Sequence, residues 1–249
     1  MKTFQGFPRF QAIAAITALW GTALCAQTPG GNQPSAQKPA ESKAAAAPVK
    51  GEAQSATTAP QKEAEWKSLF DGKTLKGWAV TDFAGTGKVD IQNGQIMLHS
   101  GLILTGVNWT NEIPKTNFEI ELEAMKEDGS DFFCCLTFPV NNSHCSFVVG
   151  GWGGAVVGIS SIDGMDASEN DTTKFMNFEK KRWYRVRVRV TPAKIETWID
   201  NEKFADQPIE DRKIGMRPGE IELSIPLGIA TYQTTAALKN IRLRSVGGK

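Results

Sequence analysis

This chain has little of what much enzyme chemistry is built from. It has only two histidines, His99 and His144, and no Cys/His spacing matches a zinc site. A phosphate-cradling glycine loop and a nucleophile elbow are both missing, which removes P-loop phosphoryl transfer and α/β-hydrolase acyl transfer from consideration. Charge of one sign is missing too. The formal net charge is +1, so nothing selects nucleic acid or an acidic membrane surface as a partner. The apolar run at residues 12–24 falls short of the roughly 20 residues a membrane span needs, so no transmembrane span is expected in the mature protein. Helical periodicity is nearly absent, with only residues 167–178 ambiguous.

What is present divides the chain in three. Lys2 and Arg9 precede the apolar run, and the small residues Ala23, Cys25 and Ala26 follow it. That order is the signature of a secretory leader, so residues 1–26 are expected to be removed on export to a periplasmic or extracellular location. Cys25 stands where a lipoprotein cysteine would, although Leu24 is larger than the small residue usual before one. Residues 27–64 are rich in Ala, Pro, Gln, Lys, Ser and Thr and hold few large apolar groups. Such a segment cannot offset its ordering entropy by burial and is expected to be a disordered tether. Residues 65–249 are long enough for one domain around one core.

That domain reads as short alternating strands separated by turn signals, the pattern of an all-β sandwich. Asn93-Gly94 is a two-residue hairpin turn. Phe118, Ile120, Leu122 and Ala124 alternate with Glu119, Glu121 and Glu123. Residues 183–199 form a hairpin whose charges match in one register: Arg187 opposite Trp198 and Arg189 opposite Glu196, with Val186 and Val188 on the other face. A slip by one residue would turn the valines outward. The charged face, carrying an indole, is either a salt-bridge lattice or a sugar platform.

Residues 131–171 hold the densest chemistry. Two apolar segments flank an Asn-Asn-Ser turn, so they form a hairpin, with His144 at the turn. Gly150, Gly151, Gly153 and Gly154 surround Trp152, either as a tight bend or as the floor and rim of a binding site. Asp163, Asp166, Glu169 and Asp171 follow in a loop. These hard oxygen ligands suit calcium, although their spacing is not that of an EF-hand and a loop of acids is commonly just solvated. Cys134 and Cys135 point to opposite faces of a strand, so at most one of them pairs with Cys145; otherwise all are buried free thiols.

The run Leu69, Phe70, Asp71, Gly72, Lys73, Leu75, Gly77 and Trp78 resembles the opening signature of the 3-keto-disaccharide hydrolase domain family. Residues 117–123, 194–202 and 238–243 resemble three further strands of that family. The resemblance implies a concanavalin A-like jelly-roll β-sandwich in an exported protein acting on oxidised sugars. Two family features are missing: residues 130–139 lack the usual arginine, and in residues 228–233 Ala230 and Tyr232 stand where the family has its Gln and His. On such a sugar, a ketone at C3 acidifies the C2 hydrogen, so the C1 substituent can leave by β-elimination before water adds. That route needs a base, an enolate stabiliser and an acid for the leaving oxygen.

Glu121, Glu123 and His144 are the candidate catalytic groups, and Trp152, Arg187, Trp198, Asp131 and Tyr232 the candidate substrate-binding groups. Asp163 and Asp166 are candidate metal ligands, for calcium. The alternatives are a salt bridge for Glu121 and a turn position for His144. Glu121 and Glu123 are expected on the floor of a concave polar face, Arg187 and Trp198 beside them, and His144 or Trp152 at the rim. The expected function is hydrolysis of 3-keto-glycosides or a related glycan; the alternative is a non-catalytic carbohydrate-binding or surface module on the same fold.

Overall fold

The structure, a computed structural model, describes residues 64–247; the leader, and the tether up to residue 63, lie outside the described residues. In chain order the strands are β1 (Lys67–Ser68), β2 (Trp78–Val80), β3 (Val89–Gln92), β4 (Gln95–Leu98), β5 (Leu104–Trp109), β6 (Phe118–Asp128), β7 (Cys134–Val140) and β8 (Ser143–Gly151). They continue with β9 (Val156–Ser160), β10 (Lys174–Phe175), β11 (Trp183–Val190), β12 (Lys194–Ile199), β13 (Glu202–Pro208), β14 (Gly228–Tyr232) and β15 (Thr235–Ser245). One short 3₁₀ turn, Glu220–Ser224, is the sole helical element among the described residues. The ambiguous stretch at 167–178 forms turns and β10 rather than a helix.

All strand pairs are antiparallel. Sheet A runs β13-β12-β11-β6-β15-β4-β3, with β1 beside β15; sheet B runs β10-β9-β8-β7-β14-β5-β2. The alternation in the sequence explains which faces meet. Phe118, Ile120 and Leu122 of β6 and Val186 and Val188 of β11 point inward, as do Leu136 and Phe138 of β7 and Phe147 and Val149 of β8. Together they fill one core between the sheets, which makes the domain a concanavalin A-like jelly-roll sandwich. The β11–β12 register is the one the charges require, with Arg187 opposite Trp198 and Arg189 opposite Glu196.

Sheet B differs from sheet A in being covered on both faces. Strands β7 and β9 are buried along their whole length. Their outward face packs a second, smaller apolar cluster that includes Phe83, Leu104, Cys135, Val148 and Ala230. The cover is a strap at residues 212–225. Gly215 exchanges backbone hydrogen bonds with Ser161 at 2.8 and 3.1 Å, and Ser143 Oγ donates to the Ile214 carbonyl at 2.7 Å. At its other end, Asn108 Nδ2 donates to the Leu223 carbonyl.

Cys134, Cys135 and Cys145 are buried free thiols. The β7–β8 register sets Cys145 opposite Phe138, so no cysteine faces another across the hairpin. Cys134 and Cys145 lie in the inter-sheet core, while Cys135 lies under the strap. Burial disfavours the thiolate at all three, and pushes Cys135 up to about 12. With Cys25→Ser, the folded chain is therefore expected to resist a thiol reagent at mildly alkaline pH, and all three remaining thiols to react in denaturant. Rapid labelling of Cys134 or Cys145, the two in the inter-sheet core, would show that this hairpin opens.

Candidate functional site

The outward face of sheet A holds the charged residues the sequence singled out, and they form a lattice. Glu119 is fully buried and accepts from Arg189 Nε at 2.7 Å and Arg244 Nε at 2.6 Å, with Arg187 Nη1 at 3.6 Å. Glu121 accepts from Arg242 Nη2 at 2.5 Å. Glu123 pairs with Lys239 at 3.3 Å and accepts from Asn240 Nδ2 at 2.7 Å. Asn240 sits in a left-handed turn (φ 53°) within a bulge of β15, which aims its amide at that carboxylate. The Arg187 guanidinium lies 4.0 Å from the centre of the Trp198 ring, and Lys203 covers the same ring at 5.1 Å. Carboxylates and guanidinium groups satisfy one another here.

The expected convergence of candidates on one cleft is corrected by the topology. Glu121, Glu123, Arg187 and Trp198 belong to sheet A, whereas His144 and Trp152 are carried by sheet B and its turns. The outward faces of two packed sheets point in opposite directions, with the core between them. His144 sits on β8 opposite Pro139, two residues before Ser146, and does not line the pocket described next. Burial, with Lys115 adding to it, holds its imidazole below the ordinary range.

The pocket lies on the outward face of sheet B, with a volume of about 440 Å³. Cys135, Ser146 and Val148 form its floor. One wall is the strap, through Arg217, Pro218, Glu220 and Ile221. The other is built by Ile103, Asp131, Phe132, Trp152 and Tyr232. Three residues expected in the substrate site, Asp131, Trp152 and Tyr232, are thus brought together although they lie up to 101 positions apart.

Local sequence explains the geometry of that wall. The Gly-rich turn after β8 places Trp152 itself in a left-handed conformation (φ 48°), unusual for so large a residue, and leaves it 43% exposed. Gly154 (φ 106°) lets the turn approach the loop before β7, because a Cβ there would meet the Ser130 carbonyl at 2.7 Å. The close approach orients Asp131. Its Oδ2 accepts the Gly153 N–H at 3.0 Å and its Oδ1 the Phe132 N–H at 2.8 Å. Tyr232 packs on Phe132 with ring centres 5.8 Å apart.

Arg217 spans the pocket from the strap. It pairs with Asp166 Oδ2, and its guanidinium lies 5.9 Å from the centre of the Trp152 ring. Asp166 Oδ1 accepts from Ser160 Oγ at 2.8 Å. The two oxygens of Glu220 accept the Ala84 N–H, each at 3.2 Å. Sequence reasoning missed Arg217, Glu220, Ser146 and Ser160. The isolated Arg217-Pro218-Gly219 turn was the sole local signal, and it says nothing of what the strap crosses.

The family model described as the 3-keto-alpha-glucoside-1,2-lyase-like domain matches residues 65–244. The chain belongs to this family. It is a carbohydrate-active family, and the match spans both sheets and the strap. No curated protein matches the sequence. Among solved structures, one described under endo-acting O-glycanases of the human gut microbiota superposes with a TM-score of 0.50 at 11% identity, covering 75% of this chain and 100% of that one. The Crh5 transglycosylase in complex with NAG gives a TM-score of 0.50 at 9% identity, covering 75% and 85%. A glycosyl hydrolase-like protein from Parabacteroides distasonis gives 0.48 at 12%, covering 73% and 94%. At these identities the likeness is one of fold.

The calcium expectation for this family member does not fit the residues. Asp163 pairs with Arg212 at 2.7 Å and also accepts the Lys213 N–H, Asp171 pairs with Arg212 at 3.3 Å, and Asp166 is taken by Arg217 and Ser160. Among the described residues no group of three or more His, Cys, Asp or Glu gathers around one point. The acids instead fasten the strap to the loop after β9. No described helix is long and apolar enough to cross a membrane.

Proposed function

We propose that the protein is an exported enzyme that opens 3-keto-glycosides by β-elimination in the sheet B pocket, followed by addition of water. The observation that carries this reading is the set of groups lining that pocket: an oriented carboxylate, a guanidinium and a phenol, beside an exposed indole. Asp131 is held by two backbone N–H groups and keeps lone pairs for the C2 hydrogen, so it is assigned as base. Arg217 faces the same space and supplies positive charge to the enolate oxygen that develops at C3. Tyr232 donates its proton to the departing oxygen. The C2–H electrons become the C1–C2 double bond as the C1–O bond breaks. Water then adds its hydroxyl to C1 and a proton to C2, so the net reaction is hydrolysis without change of oxidation state. Trp152 offers its ring face to the sugar.

The second reading, a binding module, is favoured by the partners already engaging Arg217 and Glu220. One experiment separates the two. The full chain is incubated with 3-keto-trehalose and with a 3-keto-glucoside, and released sugar is followed. Turnover lost in Arg217→Met supports the enzyme. Saturable binding with no released product supports the module.

A further inference from the structure

The pocket is not uniform along the sheet, and its two ends suit different parts of a substrate. Sheet B runs β9-β8-β7-β14-β5 beneath it. Over β9 and β8 lie Ser160, Ser146, Arg217 and the Trp152 indole. Over β14 and β5 lie Ile103, Leu104 and Ile221, with Phe132 and Pro218 on the flanks. Three strand spacings separate β8 from β5, about 14 Å, enough for a sugar ring and a group attached to it. Glu220 is the one charged side chain of the apolar end, and both its oxygens are turned to the Ala84 N–H. Tyr232, on β14 opposite Leu104, stands at the inner edge of the apolar end.

We infer that the substrates of this pocket are uncharged glycosides whose leaving group is apolar, such as a phenol, rather than a second sugar or an acidic sugar. This rests on the lyase reading for the direction of cleavage, because it sets the C1 substituent beyond Tyr232. Two independent observations carry it. A second sugar presents hydroxyls all round, and a wall of Ile103, Ile221 and Pro218 would leave them without partners. A phenyl ring loses nothing there and removes apolar surface from water. Ile103 is 44% exposed at the mouth, apolar surface that such a ring would cover.

The second observation is charge. Asp131 and Glu220 are the carboxylates of the lining, and Arg217 is its one cation among the described residues. That cation is already paired with Asp166. Lys126, behind the Gly-rich turn and near Asp131, adds a second cation but does not line the space. A uronic or sulfated sugar would enter against an excess of negative charge and find no unpaired cation to receive it.

The test is calorimetric binding by the full chain of phenyl α-glucoside, trehalose and phenyl α-glucuronide. Phenyl α-glucoside is expected to bind about tenfold more tightly than trehalose and about tenfold more tightly than the glucuronide. Ile103→Ser, at an exposed position, is expected to narrow the gap between phenyl glucoside and trehalose to about threefold or less; Ile221→Ser should do the same. Equal or tighter binding of trehalose, equal binding of the glucuronide, an unchanged gap in both variants, or no binding of any of the three overturns the inference. Turnover is scored separately on the 3-keto forms. The expected binding order without turnover overturns only the lyase reading. Turnover with trehalose preferred overturns only this inference.

Discussion

Asp131→Asn is expected to lower turnover of a 3-keto-glucoside by about 10²–10⁴-fold while the melting temperature stays close to that of the parent. The amide keeps an acceptor oxygen for one of the two N–H groups that hold Asp131, from Phe132 and Gly153, so the loop retains most of its anchoring. What it loses is the ability to take a proton. Affinity for the unoxidised phenyl glucoside should change little, since no proton moves in that complex. Full turnover in Asp131→Asn would remove this carboxylate as base and pass the role to Glu220, the other acid of the lining. Glu121→Gln is the control on the opposite sheet and is expected to keep turnover.

Glu119→Gln is expected to do the reverse: turnover unchanged per folded molecule, stability strongly reduced. Glu119 is fully buried and is the shared partner of Arg189 and Arg244, with Arg187 a little farther off. Removing its charge leaves partly buried guanidinium groups facing one another. Breaking a buried pair in this way costs about 3 kcal/mol, roughly a 6–12 °C fall in melting temperature for a domain of this size. The Glu121–Arg242 pair makes an internal comparison, because the Arg242 side chain is 42% exposed. Its loss should cost about 1 kcal/mol or less. Equal losses for the two would mean that burial does not set the strength of this lattice, and denaturant melts of both variants decide it.

The two experiments mark the two sides of the sandwich, and they show where local pattern informs and where it does not. The β11–β12 hairpin was legible to the residue, because opposite charges and β-branched side chains agree at one register only. The same reasoning could not tell whether Glu121 and Arg187 faced substrate or each other. Alternation names the face a residue occupies, but not what stands over that face. On sheet A the next strand, β15, brings Arg242 and Arg244 against the glutamates from more than 100 positions away. On sheet B, β7 and β9 are buried along their whole length and β8 beyond His144, yet the strap that covers them has no periodicity of its own.

The sequence by itself determined the class of fold and the pairing within its hairpins. Strand alternation, the Asn93-Gly94 turn and the charge-matched hairpin are all local, and each is enforced by burial of one face. It also marked the Gly-rich turn around Trp152 as a place where the backbone must adopt conformations that side chains resist. Only the tertiary structure decided which sheet carries the pocket. That choice depends on where the strap at 212–225 is fastened, through Arg212 to Asp163 and Arg217 to Asp166, and on Gly154 letting the Trp152 turn meet the loop of Asp131. These are contacts between segments far apart in the chain. Nothing in the spacing of either segment specifies the other, so they exist only once the two sheets have packed.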